Sequence, residues 1–328
     1  AMSITSIAKT TAALAVGAAL TIGFAANAVA EETEVWTYNP STKVLTDGNW
    51  LLKANNSTGK LTISALTSVE DGTVLNLRKP VVKDGDPSTT YVIVSPGEKI
   101  FRGRATLKEL YLPDTITTLG ADAFKGDTGL VHVEPFLPAS VKSISSTAFL
   151  SCPVTNDLFL SCPELTSIPH PGSDSGTFRG FQSRVVDCSK SGITSIGQGA
   201  FYSNSKLERV YLPKTLTRIY VKAFYNATAL IDVSFLSCPT NLDANAFQGA
   251  KGLPGRITFP VADAGWAEKI DAAKAAGTFK TWKGATPAQR DAYLEKFASS
   301  PKPLGYMPIG GVNRWMVPVG EGFKVLFR

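Results

Sequence analysis

The sequence predicts an α/β repeat solenoid with a β-rich N-terminal cap and a helical C-terminal cap. Three observations predict it. Leu107 to Phe124, LKELYLPDTITTLGADAF, and Leu207 to Phe224, LERVYLPKTLTRIYVKAF, are two copies of one 18-residue pattern, L-x-x-[LV]-Y-L-P-x-T-[IL]-T-x-[IL]-x-x-x-A-F. The phenylalanine that closes each copy recurs at Phe101, Phe124, Phe149, Phe178, Phe201, Phe224 and Phe247, in steps of 23, 25, 29, 23, 23 and 23 residues. Both flanks lose this pattern: short alternating runs precede the array and helical periodicity follows it. Self-similarity at such a period marks stacked units, none of which can bury its apolar face alone.

Within one copy, Leu110 and Leu112 alternate with Tyr111, which suits a short strand with the leucines inward and the tyrosine outward. Pro113 and Pro213 end that strand. Five residues before the closing Phe sits a second inward aliphatic residue: Leu119, Ile144, Ile196, Ile219 and Leu242. In the copy ending at Phe178 this role falls to Ile168, ten residues back, so PHPGSDSG carries a five-residue insertion. The residue before the Phe is Ala in five copies (Ala123, Ala148, Ala200, Ala223 and Ala246), which predicts a buried spine of stacked rings. A period of about 23 falls in the range of leucine-rich repeats.

Leu207, Val210, Leu212, Pro213, Leu216, Ile219, Ala223 and Phe224 spell LxxVxLPxxLxxIxxxAF. In these residues the array resembles the BspA-like class of leucine-rich repeats, found on bacterial and some protozoan surfaces. The resemblance covers residues 101–260, about half of the chain, and is specific for the repeat type and not for a ligand. It implies surface display and adhesion to host proteins or matrix, or cell–cell contact. The 25- and 29-residue copies depart from the pattern, and regular curvature is not expected there.

Taken in order, residues 1–30 read as a secretory signal: Lys9, then an apolar run, then Ala28-Val29-Ala30 before Glu31. The competing reading is an uncleaved leader, the one membrane contact expected. No Cys lies near the cleavage point, which argues against lipid attachment. Residues 31–100 form the β-rich cap: EVWTYNP, NWLLKA, KLTISAL, TVLNL and YVIVS read as strands between Asn, Asp, Gly and Pro turns. Of these, VLNL (74–77) and VIV (92–94) look like degenerate repeat strands, as terminal repeats should. Residues 101–260 are the array, ending at RITFP. Residues 261–328 are the C-terminal cap. Its first helix has Trp266, Ile270 and Ala273 on one face. Its second has Thr286 as N-cap, Pro287 at N1, Gln289 completing a capping box, and Tyr293, Leu294 and Phe297 as its apolar face. Both helices are expected to close the open end of the array. The tail from Gly305 reads as two short strands or a hairpin with Gly-rich turns, and its terminal aromatic strand is similar to secretion or outer-membrane assembly tags.

The net charge of +6 becomes +5 without Lys9 and is spread along the chain, so no nucleic-acid partner is expected. Four cysteines behind an export signal permit disulfides in three pairings; Cys152 and Cys162, ten residues apart, are the favoured candidate pair. Cys188 replaces Leu212 of its copy and should face inward. No C-x-x-C pair, H-E-x-x-H, Walker loop or G-x-S-x-G elbow is present. His170, Ser173 and Asp174 make a triad only on paper, since adjacency in sequence is not triad geometry. No enzyme, cofactor or metal is therefore expected.

In a solenoid the outward strand positions form one broad surface. The candidates for ligand contact are Glu109, Tyr111, His132, Phe159, Arg209, Tyr211 and Asp232, with Glu134 and Ser234 beside them. Tyr, Phe and Arg on a rigid ladder are types enriched at interaction hot spots, though they also shield sheets through cross-strand pairing. The expected function is a secreted or surface-displayed, non-catalytic binding protein acting through this face on a host or neighbouring-cell protein. The alternatives are a glycan-binding module, favoured by an aromatic groove, or a self-associating envelope protein.

Overall fold

The computed structural model describes residues 34–170, 172 and 176–320. The expected leader, residues Ser173 and Asp174, and the aromatic strand beyond Gly320 lie outside the described residues. The chain begins with strands β1 (Trp36–Asn39), β2 (Val44–Thr46), β3 (Trp50–Ser57), β4 (Lys60–Val69), β5 (Val74–Asn76), β6 (Val81–Lys83) and β7 (Asp86–Ser95). All but β5 close a barrel in the order β1-β2-β3-β4-β7-β6, with β1 and β6 paired in parallel. Alternation along the strands turns Trp36, Tyr38, Leu52, Ala54, Leu61 and Ile63 into the barrel. β5 belongs instead to the repeats. The indole N–H groups of Trp36 and Trp50 donate to the carbonyls of Asn76 and Val74, at 2.8 and 2.7 Å, and fasten the barrel to β5.

Two strands recur in each following coil. The first column is β8 (Glu109–Tyr111), β10 (His132–Glu134), β12 (Leu158–Phe159), β14 (Val185–Asp187), β16 (Arg209–Leu212), β18 (Asp232–Phe235) and β20 (Arg256–Pro260). The second holds two-residue strands: β9 (Thr118–Leu119), β11 (Ser143–Ile144), β13 (Ser167–Ile168), β15 (Ser195–Ile196), β17 (Arg218–Ile219) and β19 (Asn241–Leu242). Neighbours within a column pair in parallel, except β10 with β12 and β11 with β13; Val210 faces Val186 on one side and Val233 on the other. VIV is not a first-column strand. It lies in β7, and the carbonyl of Val94 accepts from Thr117 N–H just ahead of the second column.

The closing phenylalanines are fully buried and stack ring on ring, with centroids 5.0–5.5 Å apart from Phe101 to Phe149 and from Phe178 to Phe247. Their backbone is laddered as well: Phe124, Phe178, Phe201 and Phe224 each donate to the carbonyl of the alanine before the next Phe. The two irregular copies interrupt this order. Between outward Glu134 and inward Leu137 the sequence inserts Pro135 and Phe136. The first column then splits into a three-stranded and an eight-stranded sheet, joined by one Leu137–Leu160 bridge. Phe136 turns inward and packs 5.4 Å from both Phe149 and Phe178, filling the gap in the spine. The Asn156 side-chain amide exchanges two hydrogen bonds with the Val133 backbone, substituting for lost ladder bonds.

The far end is built by α1 (Ala264–Ala275), β21 (Lys280–Thr281), α2 (Pro287–Phe297), β22 (Gly305–Ile309) and β23 (Val312–Val319). The α2 capping box of Thr286 and Gln289 forms with both hydrogen bonds present. The helices do not share one task. Trp266 of α1 packs under the last coils against Phe235 and Phe259, 5.0 and 5.5 Å away. Helix α2 instead builds a second, smaller core with Tyr293, Trp315, Trp282 and Phe297. Leu294 is 48% exposed, so the apolar face of α2 is narrower than its sequence suggests. The last ladder position is taken by the β22–β23 hairpin: β23 pairs in parallel with β20, and the carbonyl of Gly310 accepts from Phe247 N–H at 2.8 Å, where the next coil would have supplied an alanine. Gly310 has φ +57°, and a Cβ there would lie 2.5 Å from the Phe247 ring.

Candidate functional site

The outward positions of the first column fall into two halves. In the first, a polar cluster runs across β5, β8 and β10. Tyr111 Oη donates to Glu109 Oε2 at 2.6 Å. Arg78, just past β5, places its guanidinium 5.7 Å from the Tyr111 ring and 3.6 Å from Glu134 Oε1. His132 Nε2 lies 3.4 Å from the other Glu134 oxygen, and its ring is 5.9 Å from that of Tyr111. The bond to Glu109 raises the Tyr111 pKa above the usual phenol range, helped by burial and by the two carboxylates. Glu109, Tyr111 and His132 are half-buried and Glu134 is exposed. Arg78 was not a sequence candidate. Its signal was only its position, two residues beyond the outward Asn76 of a degenerate strand.

The break in the ladder brings Phe159 forward; it is 51% exposed. Its register partner on β14 is Asp187, and Asp187 in turn faces Tyr211. Phe159, Ser161, Asp187 and Lys190 line an open recess of about 230 Å³.

The second half of the face is covered. Arg209 is exposed, but Tyr211 is only 8% exposed and Asp232 only 6%, which corrects their place among the outward ligand candidates. Ser234 and Thr258 are buried with them. Asp232 is engaged by Arg256, whose Nε and Nη2 donate to its two oxygens at 3.0 and 2.7 Å. The same guanidinium lies 4.1 Å from the Phe297 ring and donates to Ser300, so α2 closes over the pair. Burial disfavours the Arg256 cation, but the Asp232 carboxylate outweighs it and the Arg256 pKa is raised. Burial also raises the Tyr211 phenol.

The expected Cys152–Cys162 disulfide is not formed; all four cysteines are free thiols. The reason is the stacking. Cys152 Sγ donates to the Phe124 carbonyl at 2.9 Å and Cys162 Sγ to the Pro138 carbonyl at 3.2 Å, each reaching back to an earlier coil. Burial pushes the Cys162 thiol up to about 11. Cys188 is fully buried in its leucine position. Among the described residues no group of three His, Cys, Asp or Glu is placed to hold a metal ion. In the same residues, no helix is long and apolar enough to cross a membrane.

Parallel two-strand coils with inward leucines and a phenylalanine spine define a leucine-rich-repeat protein. Residues 95–171 and 154–254 match the family model described as BspA type leucine rich repeat region, in six copies. The repeat region of this chain is thus of the BspA type. No curated protein matches the chain. Among solved structures it is similar to a leucine-rich repeat protein from Bacteroides ovatus, at 16% identity, TM-score 0.39, 64% of this chain and 70% of that one. It is similar to a leucine rich cell surface protein from Faecalibacterium prausnitzii at 25% identity and TM-score 0.44, covering 66% of this chain but only 54% of that one. A third likeness is to the T. pallidum leucine rich repeat protein, at 22% identity, TM-score 0.33, 63% of this chain and 82% of that one.

Proposed function

We propose that the chain is an exported, surface-displayed and non-catalytic binding protein: a solenoid capped by the barrel and by the C-terminal helices and hairpin, holding a protein partner on the open half of its strand face. One observation carries the reading. Glu109, Tyr111, His132 and Glu134 stay accessible and are held in one arrangement by mutual contacts, while Tyr211 and Asp232 are buried. Pre-ordered side chains lose little freedom on binding, which is what a recognition surface needs. Export is supported by residues 1–30, whose charge, apolar run and Ala-x-Ala end fit a signal. Adhesion is what the resemblance to the BspA class implies. The sequence offers no catalytic motif that would argue for an enzyme.

The test is a binding screen of residues 31–328 against immobilised extracellular-matrix proteins. The expected result is a hit that Tyr111→Ala weakens by about tenfold, the loss of a modest hot spot. Lys214→Ala, on an exposed turn beyond the strand, should bind like the parent. Equal weakening by both variants, or by neither, would remove the strand-face reading.

A further inference from the structure

The recess beside Phe159 is a different kind of place from the polar cluster next to it. It exists because two copies of the repeat are irregular. Pro135 and Phe136 interrupt the ladder before β12, and Ser161 lengthens the stretch between inward Leu160 and Ile168 by one residue relative to Leu212 and Ile219. Four residues of different chemistry line it: half-exposed Phe159, Asp187, Ser161 and Lys190. Asp187 is 8% exposed and is fixed by the backbone two residues on, since Oδ1 accepts from Ser189 N–H at 2.8 Å. Phe159 and Asp187 sit opposite each other on neighbouring strands, so their spacing is set by the ladder and not by a loop.

We infer that this recess binds one sugar unit of a glycan, a neutral hexose or N-acetylhexosamine, with its apolar face on Phe159 and its hydroxyls between Asp187, Ser161 and Lys190. Size argues for a single unit: at about 230 Å³ the recess is smaller than the roughly 300–1,000 Å³ of sites for drug-sized ligands. Composition argues for a polyol. An aromatic platform takes the C–H face of a sugar ring. A carboxylate can only accept hydrogen bonds and an ammonium only donate them, so a ligand rich in hydroxyls satisfies both. The inference rests on the strand face being the binding surface, but it names a second partner class and separate residues.

Saturation-transfer NMR on residues 31–328 with glucose, galactose, mannose and N-acetylglucosamine tests it. Transfer to at least one sugar is expected, reduced about tenfold in affinity by Phe159→Ala, the scale of one aromatic contact plus the burial it provides. Asp187→Asn should also weaken binding, while Phe159→Tyr retains it. If Phe159→Ala lowers the melting temperature, Asp187→Asn and Phe159→Tyr decide the matter. No transfer to any of the four sugars, or equal transfer in the parent and Asp187→Asn, would overturn the inference. Tyr111→Ala separates the two readings: it should weaken binding of the matrix-protein partner and leave binding of the sugar unchanged.

Discussion

A single buried carboxylate shows how the repeat tolerates polar residues. Asp127, three residues after Phe124, is fully buried. One oxygen accepts from Arg104 N–H at 2.7 Å, and the other has no partner among the described residues. Burial pushes its pKa up to about 8, against the pull of the Arg104 backbone and charge. A raised carboxyl pKa means that the folded chain holds its proton more tightly than the unfolded chain. The contribution of Asp127 to stability is therefore full in acid and is lost as pH rises from the ordinary carboxyl range to about 8, above which it levels off. Asp127→Asn keeps an acceptor and removes the titration. Thermal melts should show the variant more stable than the parent at pH 8, by on the order of 1–3 kcal/mol, and nearly equal to it at pH 4. A parent more stable than Asp127→Asn at pH 8 would contradict this. The thiols offer a second residue-scale check. Unfolding without reductant should expose four reactive thiols per chain, and mass spectrometry should find no linked cysteine peptides.

At the scale of elements, the regular coils were legible and the irregular ones were not. Spacing alone located the inward Leu212, Ile219 and Phe224, because a 23-residue copy has one way to stack on another. The number of residues in the long copies was also visible, but their destination was not. Phe136 carried no signal of its own in the sequence, yet it completes the spine; an apolar residue in an inserted pair goes to whichever gap the break creates. The barrel was missed because it closes through a parallel pairing of β1 with β6, a contact far apart in sequence that no local pattern announces. Three substitutions probe these elements. Phe136→Ala should cost about 3–5 kcal/mol, as for other buried aromatic residues, while Phe159→Ala should cost about 1 kcal/mol or less. Gly310→Ala should destabilise by about 1–3 kcal/mol, because it adds a side chain at positive φ against Phe247. Denaturant melts measure all three, and a Phe136→Ala cost no larger than that of Phe159→Ala would contradict the spine assignment.

Among the described residues one core runs from Trp36 in the barrel to Met316 in the final hairpin, and a second sits under α2. That second core is the reason the candidate site was only half legible. Outward and inward positions follow from strand alternation, so Glu109, Tyr111, His132 and Phe159 could be named from the sequence. Whether an outward position meets solvent depends on which later segment folds back over it. Nothing near Asp232 in sequence says that Arg256 will pair with it or that Phe297 will cover the pair. The strand face is thus divided into an open half and a covered half. Hydroxyl-radical footprinting of residues 31–328 in solution tests it most directly. Phe159 and Tyr111 should be oxidised readily, and Tyr211 and Trp315 should be protected until the chain unfolds. Oxidation of Tyr211 in the folded chain as fast as that of Tyr111 would contradict it.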